Sequence, residues 1–223
     1  MDNASDIAIV GFSGIFPGAP DPDRLWRLIV EQTGGICDIP PERRSVVSDR
    51  LWEDAPAPDR AVSRRAGLIR REDLDPAACR LGAGRVSRLD PMHRLALHAG
   101  RSAWDAFCTG PVDKRRAGVI LAAIALPTDS ASRLTRDLLL GSIRHRLFNE
   151  TIEPIRSADD ALAARVTGLP AGVIARELDL GGLCFTLDAA CASSLYTVKL
   201  AAEELRSGRA DVMLAGGVSR PDC

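Results

Sequence analysis

The chain has 223 residues, of which 46% are hydrophobic, enough for one sizeable core. The 29 lysines and arginines nearly balance 30 acidic residues, so a net charge of −1 gives no overall field that favours nucleic acid or an anionic membrane. No apolar run approaches the roughly 18 residues of a membrane span, and the first residues lack the basic and apolar regions of a signal peptide, so we predict a globular cytoplasmic protein.

The chain begins with three local patterns. Residues 6–11 are a brief apolar run ended by glycine, which predicts a buried strand. The glycine-rich residues 11–18 lack the Gly-Lys-Ser/Thr ending of a phosphate loop and the spacing of a dinucleotide fingerprint, so they predict a tight turn beneath a catalytic region. The Asp-Pro-Asp run at 21–23 then starts a helix that the glycine pair at 34–35 ends.

Two long segments hold little periodic pattern. Residues 36–75 combine four prolines with interleaved arginines and acids, which predicts a loop-rich excursion with a solvated mixed-charge surface. Docking of an acidic carrier protein on that surface is the alternative. Residues 126–156 are polar and arginine-rich and predict a second loop-rich excursion.

Regular elements are predicted before, within and after the second of these segments. Residues 89–95 start a helix with Asp90 as its N-cap and Pro91 at the first position. The apolar residues 117–125 predict a core strand of a parallel or mixed sheet. Further helices are predicted near residues 134–140, from the acidic start at 157–160, and through Ile174 and Leu178.

Residues 184–218 predict a strand, a turn, a helix and a second strand. The first strand is the β-prone run at 185–187, and the second is the apolar run at 211–215, closed by two glycines. Because strands alternate with helices along the chain, we predict an α/β layered domain. Between the two strands, apolar residues recur at the spacing of an amphipathic helix: Leu195, Val198, Ala202 and Leu205.

Among six scattered cysteines, only Cys191 has a local context that argues for chemistry. It falls at the corner between the strand and the helix, where a helix start leaves N–H groups unpaired and carries the positive end of the dipole. A thiol there is shifted toward the nucleophilic thiolate. The other five are expected to be free, buried thiols, since no C-x-x-C pair or zinc-ligand spacing is present: Cys37, Cys79, Cys108, Cys184 and Cys223.

The run Asp-Ala-Ala-Cys-Ala-Ser-Ser at residues 188–194 resembles the active-site cysteine motif of β-ketoacyl synthases, the condensing enzymes of fatty-acid and polyketide assembly. The resemblance implies a thiolase-like layered α/β/α/β/α fold, of which residues 1–223 are the N-terminal half with insertions. The sequence of this motif is most similar to that of synthases from multidomain polyunsaturated-fatty-acid and polyketide systems. Other stretches agree with the family in the same order: residues 7–11, 16–18, 25–26, 89–95 with Trp104, and 210–218.

This resemblance implies a mechanism. A thiolate takes an acyl group from the phosphopantetheine thioester of an acyl carrier protein, a malonyl-type extender loses CO2, and the resulting carbanion attacks the acyl-enzyme. Cys191 would be the nucleophile, and its own N–H would be one donor to the oxyanion. Ser193 and Ser194 are predicted to pack and form hydrogen bonds at the helix start, because no Gly-x-Ser-x-Gly turn surrounds them.

The resemblance also implies which cofactors and partners to expect. The substrates are carried on phosphopantetheine, and no metal, nucleotide or flavin takes part. The implied partners are an acyl carrier protein and either a second copy of the chain, giving a homodimer, or a second ketosynthase-like subunit. Neither nucleic acid nor a membrane is expected as a partner.

The histidines depart from the family pattern. Condensing enzymes of this type carry two catalytic histidines and a lysine well downstream of the cysteine, yet no histidine follows Cys191. His93, His98 and His145 lie upstream and match no catalytic position. His93 and His98 are also five positions apart, which does not place them on one helix face as metal ligands. We therefore predict the N-terminal half of a ketosynthase, incomplete for condensation.

Two other interpretations stay open. The chain alone could be a non-catalytic structural or interaction module, in which case the apolar faces of two strands that would contact the absent half should be exposed. A thiolase or chalcone-type enzyme that acts on coenzyme A thioesters would share the thiol chemistry, although the Asp-x-Ala-Cys-x-Ser-Ser form favours the carrier-protein branch.

Overall fold

The computed structural model describes residues 6–41, 53, 55–69, 79–107, 110–124, 139, 141–149 and 169–220. The chain divides into two compact units. The smaller contains residues 13–74 and 222–223, and the larger contains residues 1–12 and 75–221. The Cys191 turn therefore belongs to the larger unit.

The described residues of the smaller unit form one helix and one strand pair. Helix α1 spans Pro22–Val30, and the Asp21 side chain caps it by accepting a hydrogen bond from the N–H of Arg24 at 2.7 Å. Strand β1 (Ile36–Asp38) pairs antiparallel with strand β2 (Arg65–Gly67). The start of α1 is confirmed, whereas strands of three residues are too short to show a readable alternation in the sequence.

A three-stranded parallel sheet forms the centre of the larger unit. Strand β3 (Ala117–Ala123) lies in the middle, with β4 (Cys184–Leu187) on one side and β5 (Val212–Val218) on the other. Every residue of β3 is buried, which confirms the core strand predicted from its continuous apolar run. β5 continues through the glycine pair at 216–217, which was predicted to close it.

The larger unit contains five described helices, of which three pack against the sheet or against each other. The five are α2 (Ala83–Val86), α3 (Pro91–Phe107), α4 (Gly141–Phe148), α5 (Leu169–Leu178) and α6 (Ser193–Arg206). α3 packs on α5, α5 on β3 and β4, and α6 on β5 and β3. In the described part of the chain, no helix is long and apolar enough to cross a membrane.

Two helices predicted on either side of β3 are confirmed. Asp90 is buried, and its Oδ1 accepts a hydrogen bond from the N–H of Met92 at 2.8 Å, so the N-cap of α3 is as predicted. The helix predicted through Ile174 and Leu178 is α5. The helices predicted at 134–140 and from 157–160 lie outside the described residues, apart from residue 139.

The buried strand predicted at residues 6–11 is wrong. These residues form no strand, and Ile9 is 84% exposed. The middle strand β3 has β4 and β5 on its two edges, and residues 6–11 pair with none of these three strands. Gly11 lies instead against α3, where an added Cβ would come within 2.8 Å of the carbonyl oxygen of Ala103.

Two of the four apolar residues that predicted α6 do not face the core, whereas Ala202 and Leu205 are half-buried. Leu195 is 74% exposed and Val198 is 53% exposed, while the buried residues of this helix are Ser193, Thr197 and Ala201. The helix is confirmed, but the apolar side of its N-terminal part is turned outward. Exposed apolar surface is therefore found on α6. It was expected on the faces of two strands, but the residues of β3, β4 and β5 are mostly buried or half-buried.

Candidate active site

The turn between β4 and α6 carries Cys191. A short 3-10 turn at Ala190–Ala192 leads directly into α6, so Cys191 lies two residues before the first residue of that helix. The residue is exposed, as a nucleophile must be to reach a substrate. The predicted position of Cys191 at a strand-to-helix corner is confirmed, and its catalytic role stays a prediction.

Ser193 holds this turn together from the buried side. Its Oγ accepts a hydrogen bond from the N–H of Ala189 at 2.7 Å and donates one to the carbonyl of Ala190 at 2.7 Å. Ser193 is 4% exposed, so both bonds are sheltered from bulk water. The side chain thus ties together the two residues that precede Cys191, which agrees with the hydrogen-bonding role predicted for it.

Ala190 has a left-handed backbone conformation with φ +49°. A non-glycine residue pays about 1–3 kcal/mol for such a conformation, and the surrounding bonds must hold it. The Oδ1 of Asp188 accepts from the N–H of Ala190 at 2.9 Å, and the carbonyl of Ala189 accepts from the N–H of Ala192 at 3.2 Å. The sequence could not reveal this strain, because an alanine gives no signal of a positive φ.

The first turn of α6 has no side-chain cap. Ala192 occupies the N-cap position, and no side chain of the described residues accepts from the first-turn N–H groups there. The N–H groups of Ala192 and Ser193 bond to the carbonyls of Ala189 and Ala190, so this helix start offers Cys191 the positive end of the helix dipole. This is the kind of helix start at which a developing oxyanion is stabilised.

Strand β5 anchors this first turn. Thr197 is fully buried, and its Oγ1 lies 2.7 Å from the carbonyl oxygen of Ser194 and 3.2 Å from that of Gly216, with the hydroxyl donating. An added Cβ on Gly217 would lie 3.4 Å from the Cβ of Ser194. The glycine pair, which the sequence predicted as a strand end, instead lets α6 approach the strand closely.

The other described cysteines differ from Cys191 in their surroundings. Cys37 and Cys184 are exposed and Cys79 is half-buried, so the expectation of buried thiols is wrong for the first two, which lie on short edge strands. Although the Cys184 residue is exposed as a whole, partial burial raises the pKa of its thiol and disfavours the thiolate. Cys108 and Cys223 lie outside the described residues.

The three histidines lie on helices other than α6. His93 is fully buried and His98 half-buried on α3, while His145 is exposed on α4. None of these histidines belongs to the turn at residues 188–193, and we assign none of them a role there. Over the residues that the structure describes, no group of three His, Cys, Asp or Glu side chains could hold a metal ion.

Comparison with protein families gives one match across nearly the whole chain. The model described as "Beta-ketoacyl synthase, N-terminal domain" matches residues 4–222. Mycoketide-CoA synthase of Mycobacterium tuberculosis is 30% identical over 226 residues, which cover 97% of this chain and 5% of that protein. Polyketide synthase ThaG of Burkholderia thailandensis is 33% identical over 221 residues, which cover 96% of this chain and 4% of that protein.

Solved structures agree with this match. The PfaC keto synthase-chain length factor superposes with a TM-score of 0.81 at 30% identity, over 96% of this chain and 24% of that chain. The ketosynthase from module 6 of the bacillaene synthase from Bacillus subtilis superposes with a TM-score of 0.64 at 23% identity, over 96% of this chain and 32% of that chain, and supports the fold alone. The chain thus spans only a small part of the relatives that it matches.

Proposed function

The chain belongs to the β-ketoacyl synthase family, as its N-terminal domain with the thiolase-like α/β fold of ketosynthases, and from this premise we propose that it supplies the nucleophile of a condensing acyltransferase. The observation that carries the proposal is the turn that Ser193 holds, which presents an exposed Cys191 at the uncapped start of α6. An exposed thiol at a helix start meets the requirements of a cysteine nucleophile.

In the proposed reaction the Cys191 sulfur, as thiolate, attacks the carbonyl carbon of an acyl thioester. A C–S bond forms to Cys191, and the carbonyl oxygen becomes an oxyanion beside the backbone N–H groups at the start of α6. Collapse of this intermediate breaks the carrier's C–S bond, so the carrier sulfur leaves with the electron pair and takes up the proton that Cys191 released. The product is an acyl-enzyme thioester on Cys191.

The condensation that follows needs groups that handle protons during decarboxylation of a malonyl-type extender. We propose that these groups come from sequence beyond the 223 residues or from a second ketosynthase-like subunit. The structural relative PfaC is described as a keto synthase-chain length factor, which supports the pairing of a ketosynthase with a second, related subunit. The substrates would be carried on the phosphopantetheine of an acyl carrier protein, and no resident cofactor is assigned.

The experiment is acylation of the chain, followed by intact mass. The chain is incubated with an acyl thioester of a carrier protein and, in parallel, with the same acyl group on coenzyme A. We expect the mass of one acyl group to be added from the carrier thioester, to be absent from Cys191→Ala, and to persist in the matched variant Cys184→Ala. No adduct under conditions that acylate an active synthase, or an adduct that survives Cys191→Ala, would overturn the proposal.

The exposed apolar side of α6 favours a second candidate, a non-catalytic interaction module. Leu195, Tyr196 and Val198 are each at least half exposed along this side of the helix. In this case the chain should associate with itself or a partner and take up no acyl group. Light scattering decides between the two: a monodisperse monomer that also forms the acyl-enzyme argues against the module.

A further inference from the structure

A cleft in the larger unit lies away from the Cys191 turn. Its volume is about 510 Å³, within the range of about 300–1,000 Å³ that is typical of small-molecule sites. One wall is made by residues 80–85, which lead into α2, and the other by residues 172–180, which belong to α5 and the turn after it. All residues that line the cleft precede β4 in the chain, whereas Cys191 follows β4. The cleft and the Cys191 turn therefore share no residue.

Glu177 fixes these two walls against each other. Its side chain is 3% exposed, and its two oxygens accept hydrogen bonds from the N–H groups of Arg80 at 2.7 Å and Leu81 at 2.8 Å. The guanidinium of Arg101 lies 3.5 Å from the same carboxylate and compensates its buried charge. The segment that carries the first cleft arginines is thereby locked to α5, and the cleft is preformed.

The cleft has an excess of positive charge although the whole chain has a net charge of −1. Arg80 pairs with Asp179 at 3.1 Å, so these two charges cancel. Arg85 and Arg176 also line the cleft, and both are exposed and form no ion pair with any residue that the structure describes. Two guanidinium groups thus remain available, and each can donate two hydrogen bonds to the oxygens of one phosphate.

The lining of the cleft also has a small apolar part at Gly172, Leu81 and Leu180, which we call the floor. Gly172 lies inside α5, and nothing stands within 4 Å of the place where its Cβ would be. A glycine inside a helix is less stable than alanine by about 0.5–1 kcal/mol, and neither a positive φ nor a close approach requires it here. Its effect is to leave open space in the cleft, which Leu81 and Leu180 border with apolar surface.

We infer that this cleft binds a small organic phosphate. Arg85 and Arg176 bind the phosphate dianion, and the apolar part of the ester lies over Gly172 against the leucine side chains. A bare inorganic ion would fill only part of the volume, so the ester is favoured over the free ion. The inference does not depend on the proposed acylation of Cys191.

Phenyl phosphate is the probe, because it joins a phosphate dianion to a small apolar ring. Its affinity is measured by isothermal titration at constant ionic strength and compared with that of inorganic phosphate and of phenol. We expect phenyl phosphate to bind more tightly than either one. Absence of binding at millimolar concentration, or equal affinity for phenyl phosphate and inorganic phosphate, would overturn the inference.

Variants separate the cleft from the general charge of the surface. We expect the Arg85→Gln/Arg176→Gln double variant to weaken phenyl phosphate binding by about tenfold or more, while Arg206→Gln, which removes an exposed arginine from the end of α6, leaves it unchanged. Equal weakening by both would show a diffuse charge effect and overturn the site. Binding of an acidic peptide in place of phenyl phosphate would also overturn it, in favour of a protein partner.

Gly172→Glu tests the floor without threatening the fold. The new side chain enters open space, and glutamate is a better helix former than glycine, so the thermal midpoint should not fall. The carboxylate would occupy the cleft and repel the phosphate, so we expect phenyl phosphate binding to be lost. Unchanged binding in a folded Gly172→Glu variant would place the ligand elsewhere.

Discussion

Two buried polar side chains hold segments of the larger unit in place, and they act over very different distances along the chain. Ser193 bonds to residues three and four positions away, whereas the carboxylate of Glu177 binds backbone N–H groups 96 and 97 positions away, at Leu81 and Arg80. Each would leave buried or sheltered backbone groups unpaired if it were removed. Ser193 therefore shapes one turn, while Glu177 determines how two distant segments pack.

Because of this difference, Ser193 should mainly affect the reactivity of the Cys191 thiol, and Glu177 should mainly affect the stability of the chain. The Ser193 bonds surround the peptide groups that precede Cys191, so their loss should change the chemistry of the thiol. The Glu177 bonds join α5 to the segment before α2, which is remote in sequence from that turn. Changes at the two positions should therefore differ in which measurement they affect most.

The largest effect is expected from Glu177→Ala. The change leaves two N–H groups without their acceptor and removes the buried partner of the ion pair with Arg101, so the free energy of unfolding should fall by about 3–5 kcal/mol. Denaturant unfolding measures it. Glu177→Gln is the matched control, because the amide oxygen still accepts one of the two bonds and the loss should be smaller. A loss below about 1 kcal/mol in Glu177→Ala would mean that the long-range contact contributes no more than an ordinary surface contact.

Ser193→Ala should have a smaller effect on stability and a clear effect on the thiol. Removal of the hydroxyl leaves the Ala189 N–H unpaired, which costs about 1–3 kcal/mol, and frees the turn to relax. We expect slower alkylation of Cys191 by iodoacetamide across the pH range. The matched control is Ser194→Ala at an exposed position beside it, which should change neither quantity. Equal slowing by both variants would remove the special role of Ser193.

Ala190→Gly should raise stability, because glycine adopts the left-handed conformation without the Cβ penalty. The greater freedom of glycine in the unfolded chain offsets part of this gain, so we expect an increase of up to about 1 kcal/mol in the free energy of unfolding. Ala192→Gly provides the opposite control, since φ is −90° there and the glycine should destabilise the chain. A loss of stability in Ala190→Gly would show that the turn is unstrained.

The smallest effect concerns the pair between Arg116 and Asp211, which joins the starts of β3 and β5. Both carboxylate oxygens accept from the guanidinium at 2.8 Å, and this hydrogen bonding holds the pKa of Asp211 below its ordinary value. Stability from a lowered pKa is present above the unfolded value of about 4 and is lost as pH falls through the folded value. Since the pair is exposed, the contribution is small.

Asp211→Asn removes the titrating group, so the decline in unfolding free energy from about pH 5 to about pH 3 should be slightly shallower in this variant. Denaturant unfolding at several pH values measures the slope. An identical slope in the two proteins would show that the pair forms no favourable interaction in solution.

Local features of the fold could be predicted from the sequence, and features that depend on distant partners could not. The cap at Asp90 and the buried strand β3 follow from signals within a few residues. The apolar run around Ile9 and the apolar side of α6 at Leu195 gave equally clear signals, yet both are exposed. Hydrophobicity shows that a segment is apolar, and it carries no information about which strand edges are already paired.

The same limit applies to the candidate sites. The position of Cys191 and the bonding role of Ser193 were readable from one short motif, because all their partners are neighbours in sequence. The left-handed Ala190 has no sequence signal, and the partners of Glu177 lie too far along the chain to form a pattern. The cleft that Glu177 organises could therefore be found only in the structure.

The most direct measurement compares two thiols that exposure alone would make equal. Cys37 and Cys191 are both exposed, but only Cys191 lies at a helix start in a turn that hydrogen bonds hold. The protein is treated with less than one equivalent of iodoacetamide at neutral pH, and label on each cysteine is quantified by peptide mass. If the turn activates the thiol, Cys191 should take up label at least about tenfold faster than Cys37. Equal labelling of the two would contradict the assignment of Cys191 as the nucleophile.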